Sequence, residues 1–232
     1  MSYVCLLVSS KGAVASGDSR ITFGLPLPFS LHHDHGCKVF KSNHTVWACC
    51  GLTRKGLFHY PTMVKRIMDQ DDVLIYKRLR RVERLMKFHT KTPLVIRFWH
   101  RLTAPVITIV NKLLKRHPKE PHTLVFNLLY ADYSPSGKVR CGSICVKNGE
   151  VISERVYHAP VMVENGMNMR LLTPASAYIP ATDASLSSMK TAGAARVEES
   201  IAKDRELKQE NPRYRSTIGG KVRQEVLEFF PH

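Results

Sequence analysis

The chain is 232 residues long, 44% hydrophobic, and carries a formal net charge of +16. That length and apolar content describe a globular protein able to bury a core without staples, and no apolar run approaches the roughly 18 residues of a membrane span, so no membrane partner is expected. The charge permits attraction to nucleic acid, acidic lipid or acidic substrates without specifying a fold. The six cysteines, Cys5, Cys37, Cys49, Cys50, Cys141 and Cys145, form no CxxC pair and no secreted framework, and read as reduced thiols of a cytoplasmic protein.

The chain opens MSYVCLLVSSKGAVASGDSR. Its apolar run from Val4 to Val8 is about five residues, against the roughly 7–15 of a signal sequence; it has no basic flank and Lys11 breaks the apolar character soon after it, so export is not expected. Alternation and β-branched content instead predict strands over 2–9 and 12–18, turning at Ser10-Lys11-Gly12. Gly24 to Gly36, with Pro26 and Pro28, reads as a loop. Residues 37–41 and 44–50 form a second strand pair around Ser42-Asn43, ended by Gly51.

From Pro61 to His117 the texture turns helical: Val64, Ile67 and Met68, then Leu79, Val82, Leu85 and Met86, keep three- and four-residue spacing. Pro93 and Pro105 divide this region, and Thr103 suits a fresh helix start. Much of the positive charge lies here. Strands return at 122–130, 142–147 and 151–157, with YSPSG and KNGE as turns. Asp183 is the expected cap of a helix reaching about Gln209, and 216–230 gives a last strand interrupted by Gly219-Gly220. Helices inserted between blocks of strands predict antiparallel sheets layered with helices, not a doubly wound parallel sheet.

SYVCLLVSSKGAVASGDSR, then KVF, then HTVWACCGLT, with LLYADYSPSG and STIGGKV further along, resemble in order and spacing the proteasome β-type subunits and their bacterial relatives, HslV and the Anbu-like group. The resemblance implies an α+β fold, the four-layer αββα sandwich of the N-terminal-nucleophile (Ntn) hydrolases. It implies one domain over 1–232, here with an enlarged basic helical region at 61–119. It also implies a peptide or protein substrate, a homo-oligomer and no cofactor.

In that family's logic Ser2 becomes the first residue once Met1 is removed, leaving an amine and a hydroxyl on one residue. An α-amine with a reference pKa of about 7.7–8.0 is partly unprotonated near neutrality and can accept the hydroxyl proton. The resemblance assigns Asp18, in GDSR, to orienting a cation at the terminus, and Lys38, in KVF, to lowering the energy of the developing alkoxide. It assigns Gly51 to an oxyanion donor that substrate can approach closely. Ile21, Cys49 and Thr53 would line the pocket for the residue before the cleaved bond, and Thr22 with Gly51 would hold an extended peptide by backbone pairing. Ile21 and Cys49 are equally readable as core.

Three departures accompany the resemblance. Serine stands where threonine is commonest; the supporting serine after the seventh strand falls near His158-Ala159-Pro160, which lacks a hydroxyl; and the Asp and Ser before the Gly-Gly element fall near Arg215 and Ile218, with Ser216 and Thr217 as approximate substitutes. A divergent peptidase and a catalytically inactive assembly or binding subunit therefore both remain open.

Two other signals compete. LHHDHGCK holds His32, His33, Asp34, His35 and Cys37, but adjacent side chains on an extended loop point apart and no second cluster completes a tetrahedron, so no metal is expected and the segment reads as a solvated loop over the mouth of the site. The basic helices offer a third function, nucleic-acid binding. Phe98 and Trp99, however, sit at core spacing and no nucleic-acid-binding motif is present, so neighbouring subunits and acidic substrates or proteins are the expected partners and nucleic acid is not.

Overall fold

The structure, a computed structural model, describes residues 3–23, 31–33, 36–51, 54–55, 58–91, 105, 109, 125–166, 169–211 and 218–229. Thirteen strands are described: β1 (Tyr3–Val8), β2 (Gly12–Asp18), β3 (Ile21–Phe23), β4 (Leu31–His33), β5 (Val39–Lys41), β6 (Thr45–Gly51), β7 (Arg54–Lys55), β8 (Phe58–His59), β9 (Val125–Tyr133), β10 (Val139–Lys147), β11 (Glu150–Tyr157), β12 (Val161–Gly166) and β13 (Val222–Glu228). The described helices are α1 (Tyr60–Met68), α2 (Ile75–Thr90) and α3 (Leu186–Glu210), with short 3-10 turns at Met169–Leu171 and Ala175–Tyr178.

The strands build two antiparallel sheets, one ordered β12-β1-β2-β13 and one ordered β11-β10-β9-β6-β5, with small ribbons β3-β4 and β7-β8 beside them. β1 and β2 contain almost nothing but apolar and small residues and are buried along their whole length, as an unbroken apolar run at the centre of a sheet should be. Their period of two sorts the side chains. Val4, Leu6 and Val8 meet Val46, Ala48, Cys50 and Leu129 between the sheets, whereas Tyr3, Cys5 and Leu7 meet Met189, Val197 and Ile201 beneath α3. On the far side, Trp47, Cys49, Phe126 and Leu128 pack under Val64 and Met68 of α1 and Leu79, Val82 and Met86 of α2. The result is the α+β sandwich of two antiparallel sheets between helical layers.

Gly193 sets how closely α3 approaches its sheet: a Cβ there would stand 2.4 Å from Ser16 Oγ. The small residue lets the helix rest directly on β2.

Several boundaries differ from the sequence reading. Leu31–His33, inside the expected loop, forms a strand that pairs with Ile21–Phe23. Ser185, not Asp183, caps α3, its hydroxyl accepting the Ser188 N–H at 3.1 Å. β12 was invisible because Glu164, Asn165 and Gly166 are poor strand formers on their own; pairing with β1 holds them extended. Of the expected helix beginning near Thr103 only Pro105 and Ile109 are described, both helical, and the first residues of the strand predicted at 122–130 lie outside the described residues.

Candidate active site

β1 and β2 are joined by a tight hairpin, so the end of β2 returns to the start of β1. This brings the Asp18 carboxylate to the backbone of Tyr3, whose N–H donates to Oδ1 at 2.7 Å. The other oxygen, Oδ2, accepts the Arg20 N–H at 3.1 Å, the Gly219 N–H at 3.2 Å and the Lys38 ammonium at 2.8 Å. One carboxylate thus ties together the first strand, the turn after the second, the segment before β5 and the Gly-Gly element before β13.

Lys38 is wholly enclosed, and besides Asp18 its ammonium donates to the Arg20 carbonyl. Burial pulls its pKa below the usual lysine range, while Asp18 pulls the other way and prevails only in part. The Cys49 N–H donates to the Lys38 carbonyl at 2.8 Å, which seats the lysine against the end of β6. Burial pushes the Cys50 thiol up to about 12, so it is a neutral thiol at physiological pH despite the lysine beside it.

Gly51 closes β6 with φ +94°, a conformation that favours glycine, and a Cβ there would stand 2.1 Å from the Val125 carbonyl oxygen. Glycine at this position is therefore dictated by the β9 backbone as well as by any approach of a ligand.

The residues assigned from the sequence fall into distinct places. Asp18 and Lys38 form one buried ion pair, and Gly51 ends β6, two residues beyond the Cys49 N–H that bonds the Lys38 carbonyl. Cys49 is 1% exposed and belongs to the core under the helices, with Trp47, Phe126 and Leu128. Ile21 and Thr22 lie on β3, one edge of which is taken by β4. Ser2 and Thr53 lie outside the described residues, as do Asp34 and His35. Among the described residues no group of His, Cys, Asp or Glu is placed to hold a metal ion.

The register of β12 corrects the expected place of the supporting hydroxyl. Val161 pairs with Val8 and Gly166 with Tyr3. His158-Ala159-Pro160 therefore lies at the far end of β1 from Tyr3, about 17 Å away at roughly 3.3 Å per residue. The chain leaves β12 at Gly166, the residue paired with Tyr3.

The sequence reading also missed a buried charge network under α3. Arg196, fully buried, donates to Glu164 through Nε at 2.8 Å and a terminal nitrogen at 3.0 Å, to Glu199 at 2.8 Å and to the Tyr3 hydroxyl at 3.0 Å. Burial opposes the guanidinium charge, and Glu164, Glu199 and Tyr3 more than restore it. Tyr3 is thereby held at both ends, its N–H by Asp18 and its hydroxyl by Glu164 and Arg196.

No family model and no curated protein matches the sequence. Solved structures do match the fold. HslV from Trypanosoma brucei is 12% identical, with 97% of this chain and 99% of that one covered at a TM-score of 0.51. Anbu from Yersinia bercovieri is 12% identical over 97% of this chain and 81% of its own, at a TM-score of 0.54, and Anbu from Pseudomonas aeruginosa, solved as a helical assembly, gives the same figures. The chain has the fold of the proteasome-type Ntn proteins.

Proposed function

We propose that this chain is a proteasome-like Ntn hydrolase that cleaves peptide or amide bonds through Ser2 once whatever precedes it is removed. The observation that carries the reading is the enclosed Asp18–Lys38 pair, whose carboxylate also accepts the N–H of Tyr3, the residue next to Ser2. A charge pair withdrawn from water costs several kcal/mol per ion and is weak evidence of a purely stabilising role. Beside a nucleophile it has a use. The Ser2 amine takes the hydroxyl proton as the oxygen attacks the carbonyl carbon, and the Lys38 ammonium lowers the energy of the developing alkoxide. The amine's proton passes to the leaving nitrogen as the C–N bond breaks, and water then releases the acyl group from Ser2. Asp18 fixes the ammonium in place. A donor at Gly51 would serve the oxyanion, and no cofactor is called for. The protein would act in the cytoplasm as a homo-oligomer, in keeping with the helical assembly of the Pseudomonas aeruginosa Anbu.

The test is the intact mass of protein with an untagged N-terminus, before and after exposure to an acylating β-lactone, with Ser2→Ala as control. A chain beginning at Ser2 that gains one adduct, lost in Ser2→Ala, is expected. A folded protein that retains Met1 and takes no adduct would sink the proposal and favour the alternative of a non-catalytic assembly subunit.

A further inference from the structure

Outside the candidate active site, one surface combines two features that seldom occur together. Helix α2 presents Tyr76, Arg80, Arg84 and Phe88 at four-residue intervals, all exposed, with Lys77 and Arg81 alongside. Tyr76 is 50% and Phe88 77% exposed, against a buried opposite face of Ile75, Leu79, Val82 and Met86. A spacing of four residues is about 6 Å along a helix, so the row runs about 18 Å with an aromatic ring at each end and two guanidinium groups between.

Only part of the charge here is spent inside the molecule: Arg78 pairs with Asp132 and Arg81 donates to Gln70. Lys65 is paired with Asp69 and Lys87 with Glu83, whereas Lys77, Arg80 and Arg84 make no side-chain ion pair or hydrogen bond among the described residues. Glu83 is the one acid on α2, and it is committed to Lys87. Phe88 is also positioned: its ring stands edge-on to His89 at 5.2 Å, and His89 packs against the buried Tyr60 at 5.1 Å. An exposed aromatic held in this way is a pre-set platform that loses little freedom when something stacks on it.

The sequence alone does not lead to nucleic acid as a partner, but the exposed rings of Tyr76 and Phe88 supply the stacking surfaces it lacked, and we infer that this face of α2 binds single-stranded nucleic acid without sequence preference. An acidic protein would satisfy the arginines and leave the rings without purpose. A second copy docking through the same face would bring the same cations to the contact and be repelled. A single strand offers both complements at once, phosphates for Lys77, Arg80 and Arg84 and the flat faces of bases for Tyr76 and Phe88. The net charge of +16 adds long-range attraction of the same sign. This surface requires nothing of Ser2, and the inference stands apart from the hydrolase reading.

The experiment is fluorescence anisotropy of the full-length protein with a labelled 20-nucleotide oligo-dT, a duplex of equal length and a poly-glutamate competitor. With about three phosphate contacts, affinity for the single strand should fall about 20-fold between 50 and 200 mM salt. Arg80→Ala with Arg84→Ala should weaken binding and flatten that salt dependence. Tyr76→Ala with Phe88→Ala should weaken it at least tenfold and leave the salt dependence unchanged. All four side chains are exposed, so the variants should keep the wild-type circular dichroism and melting midpoint. The inference is overturned if oligo-dT does not bind at 50 mM salt, if the duplex binds more tightly, or if poly-glutamate displaces the strand and the aromatic variant binds like wild type. It is equally overturned if the protein self-associates through this face, seen as a sedimenting oligomer that Phe88→Ala disperses.

Discussion

Lys38 and Arg196 are both fully buried cations, and both reach the first described residue of the chain or the carboxylate that holds it, yet their surroundings differ in kind. Arg196 faces two carboxylates, a phenol and, at 5.0 Å, the ring of Tyr178, and its charge is reinforced beyond that of a free guanidinium. Lys38 faces one carboxylate, which it shares with three backbone N–H groups, and a carbonyl, and its charge is only partly compensated. A saturated buried charge is a clamp: it fixes α3, β12 and β1 together. An under-compensated one has free energy to release when a negative charge develops beside it, as at an alkoxide or an oxyanion. The contrast fits a structural role for Arg196 and, on the proposed function, a chemical one for Lys38.

The largest effect expected from this comparison is on stability at Arg196. Arg196→Met would strand Glu164 and Glu199 without their cation and should cost about 3–5 kcal/mol, read from the urea midpoint at unchanged m-value. A loss below about 1 kcal/mol would mean that water replaces the guanidinium, and the clamp would be no clamp. Lys38→Met should behave in the opposite way. Asp18 keeps its three backbone donors, so the loss should be about 2 kcal/mol, whereas labelling by an acylating β-lactone should slow at least 100-fold. Equal stability losses with unaffected labelling would erase the distinction between the two sites.

The two halves of the comparison were unequally legible. Asp18 and Lys38 sit in short local patterns, GDSR and KVF, at positions where a hairpin or a strand start fixes their place, and they meet as an ion pair. The clamp left no such trace. Arg196 sits among the ordinary charges of a long helix, 32 residues from Glu164, and Glu164 lies in a strand that exists because β1 pairs with it. Only the packing of α3 on the sheet turns that arginine inward. The supporting hydroxyl was misplaced for the same reason, since without β12 nothing showed which end of β1 the returning chain passes last. The basic face of α2 was legible as charge, but which of its aromatics remain exposed depended on which side of the helix packs.

The smallest expected effect is on pH dependence, and it places the two sites at opposite ends of the scale. Burial would raise the pKa of Glu199, but hydrogen bonds from the Thr173 N–H and hydroxyl, Arg196 and the Tyr178 hydroxyl outweigh it and hold the carboxyl at about 2, against 4.5 for an ordinary glutamate. Its folded-state value is depressed, so its contribution is present above pH 4.5 and is lost as pH falls from there toward 2. Because the side chain is 28% exposed, solvent screening reduces that contribution to about 1–2 kcal/mol. Glu199→Gln should therefore be less stable than wild type at pH 7, with the gap closing between pH 4.5 and 2. Lys38 is a base whose folded-state value is also depressed, so the unfolded chain binds the extra proton in the window below the ordinary 10.5. Folding then becomes more favourable as pH rises through that window, the reverse of an ordinary ion-paired lysine. Urea midpoints measured across both limbs should show Lys38→Met losing the alkaline gain and keeping the acid limb, and Glu199→Gln doing the converse. A single variant that altered both limbs would show the two buried cations to be one coupled network joined through Tyr3.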